Sequence, residues 1–402
     1  MRKAIFILVV LLFVSAESRG QRQEVNGDLI TVDVTKTYSS KKELILQDFM
    51  DVEYIALETT DEFVNQGWVM DIGERFILVK NRINDGDIFV YDRNGKALRK
   101  INHKGQKTSE EYTSIRTITL DEENDEMFVN DPITRKIYVY DLFGKFKRSF
   151  DQQEGLGSIK IGNIDLREHA FYLEIFNYDK NNLLCFDGIS DSRTFILISK
   201  QDGSITKEFT IPYKDKKSLR QGRIDGKVHL DARASGTYRI TPYNENWILL
   251  EFSSDTVYEL LPNYSLRPFI ERTPSVQSMN PEVMLVLKLV SERYIFMETI
   301  KNVYDFERNE GFPKSYLMYD KQNKSFSGYT VYNRDFSTKK EVYMIGFSPV
   351  KNHKIASLYT LEASQLVESY EKGELKDGKL KDIAAKLDEE DNPVIMLVKH
   401  KK

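Results

Sequence analysis

Apolar residues in this chain come in short runs, each ended by a polar cluster that carries glycine, asparagine or aspartate. The stretch VYDRNGK at Val90–Lys96 is nearly repeated as VYDLFGK at Val139–Lys145. In both copies apolar residues flank a turn, and Gly95 or Gly144 can take the positive φ angle that a tight hairpin needs. The pattern recurs in weaker form. It predicts outer hairpins that turn at Asp202-Gly203, Pro262-Asn263 and Gln322-Asn323. Before each outer hairpin lies a more apolar pair. These pairs are expected at 68–81, 116–131, 163–176, 238–252 and 284–299, with a sixth at 343–359. Strands buried on both faces should read as continuous apolar runs, as these do.

Units of four antiparallel strands, repeated along a chain, point to a β-propeller, because one such sheet cannot bury both its faces alone. The expected class is all-β, with six four-stranded blades over 51–402. Segment 21–50 is left as an N-terminal piece. The sixth unit lacks one strand at its end, and DVEYIALETT at 51–60 has no partner where it lies. Pairing it with NPVIMLVKHKK at 392–402 predicts a ring closed by both ends of the propeller. Seven blades is the alternative, because 177–192 and 212–235 are long enough to hold strands. One segment departs from the strand pattern. Leu380, Ile383, Ala384 and Leu387 form a helical stripe, so 360–389 reads as two helices broken between Gly373 and Gly378 and inserted into the last blade.

The length, with 41% hydrophobic and 12% aromatic residues, supports a substantial core. Arg2 and Lys3 followed by the apolar run Ile5–Val14 predict a secretory signal peptide over 1–20, cut after Ala16 or Gly20. The predicted protein is exported, periplasmic or at the surface of a Gram-negative bacterium. Loss of 1–20 removes three basic residues and one acidic one, and takes the formal charge from −4 to −6. That balance gives no electrostatic case for nucleic acid. No later apolar stretch predicts a membrane span. The single cysteine, Cys185, cannot form an internal disulfide.

Linear catalytic signals are lacking. His103, His169, His229, His353 and His400 share no metal-ligand spacing, and neither a nucleophile elbow nor a phosphate loop is present. The acidic runs DEENDE at 121–126 and DEED at 388–391 do not match a calcium loop. No cofactor is expected; calcium on the propeller axis stays an open alternative that no residue pattern indicates.

The expected ligand site is the mouth of the central channel, lined by the starts of inner strands and the loops after second strands. The blade register puts Trp68, Arg116, Asn163 and Tyr238 at strand starts. It puts Arg82, Asp131, Arg135 and Tyr178 in the loops. Aromatic and arginine side chains around one funnel suit a sugar or a peptide, by stacking and bidentate hydrogen bonding. The favoured reading is a non-catalytic binding module for a glycan, peptide or protein. The alternative is a propeller hydrolase or lyase acting on a glycan, lactone or peptide, since such enzymes can assemble acids at the mouth without a linear motif.

The run from KALRKI at 96–101 to KRSF at 147–150, with Glu111-Tyr112 before an inner strand and YVYDLFGK after it, resembles one period of an NHL-type propeller. VEYIALETTDE, the DNPVIMLVKHKK tail and the helical insertion resemble a family of exported six-bladed propellers from Gram-negative bacteria, whose function is not established. The resemblance implies the architecture and carries no catalytic residues with it.

Overall fold

A computed structural model describes residues 29–152, 158–161, 164–167, 172–188, 193–225, 228–234, 236–344 and 354–401. It is a six-bladed β-propeller, with strands named A to D from the axis outward. Blade one comprises Trp68–Ile72, Phe76–Lys80, Ile88–Asp92 and Ala97–Ile101. Blade two runs Thr117–Asp121, Glu126–Asp131, Lys136–Asp141 and Phe146–Asp151. Blade three is Tyr172–Asn177, Asn182–Asp187, Phe195–Ser199 and Ile205–Phe209. Blade four is Ile240–Tyr243, Asn246–Leu249, Thr256–Leu260 and Leu266–Thr273. Blade five is Val283–Val290, Tyr294–Lys301, Lys314–Asp320 and Ser325–Tyr332. In blade six, Val394–His400 lies between Ile355–Leu361 and the N-terminal strand Met50–Ala56. Residues 345–353, where that blade's first strand is expected, lie outside the described residues.

The ring is closed by packing as well as by strand pairing. Among the described residues six apolar clusters form, and each joins two neighbouring blades. Within one strand the side chains alternate between clusters. Ile77 and Val79 pack toward blade six, whereas Leu78 packs toward blade two. This two-sided burial is why the strands read as continuous apolar runs rather than alternating ones.

The repeated turn has a second use. Asp92 Oδ1 accepts the N–H groups of Asn94 and Lys96, and Asp141 Oδ1 does the same for Phe143 and Lys145. The glycine of each turn then touches the outer strand of the preceding blade. A Cβ on Gly95 would lie 2.0 Å from the Ala56 carbonyl oxygen in blade six, one on Gly144 3.1 Å from Ile101, and one on Gly203 2.3 Å from Phe150. The motif is kept by close approach between blades as much as by its positive φ. Gly95→Ala combines φ +85° with a backbone clash. We expect it to cost about 2 kcal/mol in denaturant unfolding; a loss under half of that would refute the docking role.

Three sequence expectations change. The apolar pair of blade three is 172–187, not 163–176, and Ser158–Ile161 and Ile164–Arg167 form a separate hairpin. The segments that allowed a seventh blade hold the second strand of blade three and an excursion hairpin, Arg220–Asp225 with Val228–Arg233. The N-terminal segment is built into the ring. Ile30–Asp33 adds a parallel fifth strand to blade four, and Lys41–Ile45 adds one to blade five. Helix α1 (Leu46–Phe49) then leads into Met50–Ala56.

Antiparallel strands alternate in direction, so A–B and C–D turns fall on one face and B–C and D–A connections on the other. All the insertions occupy this second, upper face. They are the hairpins at 158–167 and 220–233, which pack together, a small hairpin at Tyr304–Gly311, and helices α2 (Ala363–Glu371) and α3 (Lys379–Ala384). The helical insertion lies between the second and third strands of blade six, where the stripe at 380–387 predicts it.

Candidate functional site at the upper channel mouth

Side-chain bridges tie the inner strands together near the axis. Asp71 Oδ2 accepts the Leu120 N–H at 2.7 Å, and Thr119 Oγ1 donates to the Ile175 carbonyl at 2.9 Å. Glu174 continues the series, accepting the Arg239 N–H at 2.8 Å and the Ile240 N–H at 3.0 Å. These bridges hold the starts of the A strands of blades one to four around one opening. Bulges at Met70 and Leu173 interrupt two of those strands, and both residues line the opening.

That opening is a cavity of about 470 Å³. Four of the residues expected at the mouth, Trp68, Arg82, Arg116 and Tyr238, line it together with Lys80. Trp68 opens the A strand of blade one and pairs across the ladder with Lys80. The indole is 37% exposed, whereas Lys80 is 6% exposed and places Nζ 4.4 Å over the ring. Lys80 Nζ also donates to the Asn81 carbonyl at 2.8 Å. Burial lowers its pKa, opposed by Asp85. Arg82 reaches across to Glu362, at the start of α2, at 3.9 Å. Arg116 is exposed toward the opening, yet crowding by the channel walls lowers its pKa; Glu174 opposes the shift and Arg233 adds to it. Burial raises the Tyr238 phenol, and the Glu174 charge raises it further.

The other expected residues are elsewhere. Asp131 is buried at the end of the B strand of blade two, where it accepts N–H groups from Thr113, Ile133 and Thr134 and so shapes two connections. Arg135 is exposed in the B–C turn of the same blade at φ 58°, beside the cavity but outside its lining. Tyr178 lies in the A–B turn of blade three, on the opposite face, stacked on Trp247 and Tyr264. Its expected position moved with the register of that blade. Asn163 lies outside the described residues.

Glu174 is the residue that sequence reasoning missed. Burial raises its carboxyl to about 7, opposed by the Arg239 and Ile240 N–H groups and by the Arg239 and Arg116 charges. Arg239 in turn is lowered to about 10 by burial, opposed by Glu251 and Glu174. The available signal was an acid inside an apolar inner strand, YLEIFN.

The acidic run at 121–126 has structural work. Glu122 accepts three N–H groups from the first turn of blade one, at Glu74, Arg75 and Phe76. Asp121 pairs with Lys200 at 2.6 Å, and Glu126 with Arg148 at 2.7 Å. Among the described residues, no three His, Cys, Asp or Glu side chains are grouped to hold a metal ion. Also among the described residues, no helix is long and apolar enough to cross a membrane.

The family model "Domain of unknown function (DUF4934)" matches residues 29–399. The chain belongs to this family. Among curated proteins no match is found. A solved structure of a protein named as exported, from Bacteroides fragilis, covers 93% of the chain and 100% of its own length at 15% identity and a TM-score of 0.54. A DUF4221 family member from Bacteroides vulgatus covers 72% of the chain and 92% of its own length at 11% identity and a TM-score of 0.42. The first of these likenesses supports the fold of this DUF4934 chain.

Proposed function

We propose that the chain is an exported bacterial binding module that takes a small glycan at the upper channel mouth, with residues 1–20 as its signal peptide. The observation that carries the reading is the exposed Trp68 ring, held by Lys80 at the rim of a cavity with arginines and Tyr238 around it. An indole offers a flat apolar face to the C–H face of a sugar, and polar side chains around it fix orientation. A cavity of about 470 Å³ is in the range of small-molecule sites. The exported character rests on the basic and apolar start of the chain and is in keeping with the name of the Bacteroides fragilis protein. The resemblance of blades one and two to NHL-type repeats fits a platform whose connections carry the specificity.

The chain has two tryptophans, and Trp247 is 3% exposed. Trp68 emission therefore reports on the mouth. Titration of the mature protein with oligosaccharides should change this emission, and Trp68→Ala should weaken binding, measured calorimetrically, by about tenfold, the value of one stacked ring. Unchanged affinity in Trp68→Ala would refute the site.

A second reading, a hydrolase or lyase, is favoured by Glu174 alone. A carboxyl near 7 beside Arg116 and Tyr238 can hold or release a proton at neutral pH. Among the described residues, none that lines the cavity is Asp, Glu or His, which favours binding over turnover.

A further inference from the structure

We infer that the ligand is an acidic sugar, a pyranose ring bearing a carboxylate; this rests on the glycan-binding reading above. Among the described residues, the ionisable side chains that line the cavity are Lys80, Arg82, Arg116 and Tyr238, so the charged ones are all cationic. Of the neighbouring carboxylates, Asp85 acts on Lys80 and is bonded by Asn81 Nδ2 and the Asp87 N–H, whereas Glu174 and Glu362 do less to offset the arginines. Glu174 is already engaged by two backbone N–H groups, and its carboxyl holds a proton up to neutrality. Glu362 is 3.9 Å from Arg82, beyond direct hydrogen-bonding distance, and both groups are largely exposed.

The cations are spaced around the ring platform rather than gathered beside it. Lys80 occupies one face of the Trp68 indole. A sugar ring stacks on the other face, with Arg116 on the neighbouring blade and Arg82 on the loop above offering guanidinium groups to a substituent on that ring. Guanidinium binds carboxylate through two parallel hydrogen bonds, a geometry that a neutral hydroxymethyl group cannot use. An acidic peptide would satisfy the charge but not the flat platform, which is why the acidic sugar is favoured.

A matched series tests this. Cellobiouronic acid, its methyl ester and cellobiose share one ring skeleton and differ only at the acid. Titrated into the mature protein and followed by Trp68 emission and calorimetry, the acid should bind at least tenfold more tightly than the ester or cellobiose. Its affinity should fall with added salt. Arg116→Gln and Arg82→Gln should each weaken the acid by about tenfold or more, as expected for a lost charge-assisted hydrogen bond, and weaken cellobiose distinctly less, since a neutral hydroxyl makes the weaker bond. Two arginines on different blades keep the test usable if one variant folds poorly. Equal affinity for the three sugars would overturn the acidic preference and leave the glycan site standing. Binding of a tetraglutamate peptide without any of the sugars would overturn it in favour of a peptide. No response to any probe would overturn both the inference and the proposed function.

Discussion

Asn392→Ala should loosen the closure of the ring and cost about 3–5 kcal/mol of stability. Asn392 is 1% exposed and lies where the helical insertion re-enters blade six. Its Nδ2 donates to the carbonyls of Glu58 at 2.9 Å and Phe63 at 2.6 Å, and to Tyr91 Oη at 3.3 Å. Its Oδ1 accepts the Asn65 N–H at 2.8 Å. One side chain thus binds the tail of the chain to the connection from blade six into blade one. Alanine leaves two carbonyls and an N–H buried without it, and each such group costs about 1–3 kcal/mol. The sum is less than additive because these groups share one site. For a chain of this length the loss lowers Tm by about 5 °C. Asn392→Asp keeps the acceptor but replaces the donor with a buried charge, and should destabilise at least as much. Denaturant unfolding of both variants checks the effect. A loss below 1 kcal/mol for Asn392→Ala would show that strand pairing alone closes the ring.

That closure is legible in the sequence in outline, because the N-terminal strand and the tail both read as strands without local partners. Met50–Ala56 and Val394–His400 pair as expected. Asn392 itself gives no pattern, since its four partners are distant in the chain. The repeat is clearest where a turn carries two requirements at once, as at Gly95 and Gly144. It fades in blade three, where the excursion strand IDLR and the blade strand YLEIFN look alike to a test of periodicity. Only sheet pairing tells them apart, and that error carried Tyr178 to the wrong face. The N-terminal strands ITVD and KKELI are short, and strands added in parallel at an edge need no hairpin turn to announce them. At the mouth, Trp68, Arg116 and Tyr238 follow from strand starts. Glu174 does not, because its environment is made by blade four.

Glu174 should also impose a pH dependence on stability that Glu174→Gln removes. Its native pKa of about 7 stands above the ordinary 4.5. Between these values the unfolded chain has released the proton and the native state still holds it. Stability attributable to this carboxyl therefore falls as pH rises from 4.5 to 7, and the cost is constant above 7. The shift corresponds to about 3 kcal/mol as a ceiling, since Glu174 as a residue is only part-buried. Lys321, which burial lowers to about 8, opposed by Glu292 and Glu259, acts in a separate window. Its native state loses the proton first, so its contribution rises with pH from 8 to 10.5. The difference between wild type and Glu174→Gln, measured by denaturant unfolding from pH 4.5 to 8, isolates Glu174. Glutamine keeps an acceptor for the Arg239 and Ile240 N–H groups. A difference flat with pH would show that Glu174 ionises normally. The same proton bears on the ligand. Above pH 7 the ionised Glu174 opposes a bound carboxylate, so cellobiouronic acid should bind several-fold more weakly at pH 8 than at pH 6. Cellobiose carries no charge and should be indifferent, and in Glu174→Gln the acid should bind equally at both pH values.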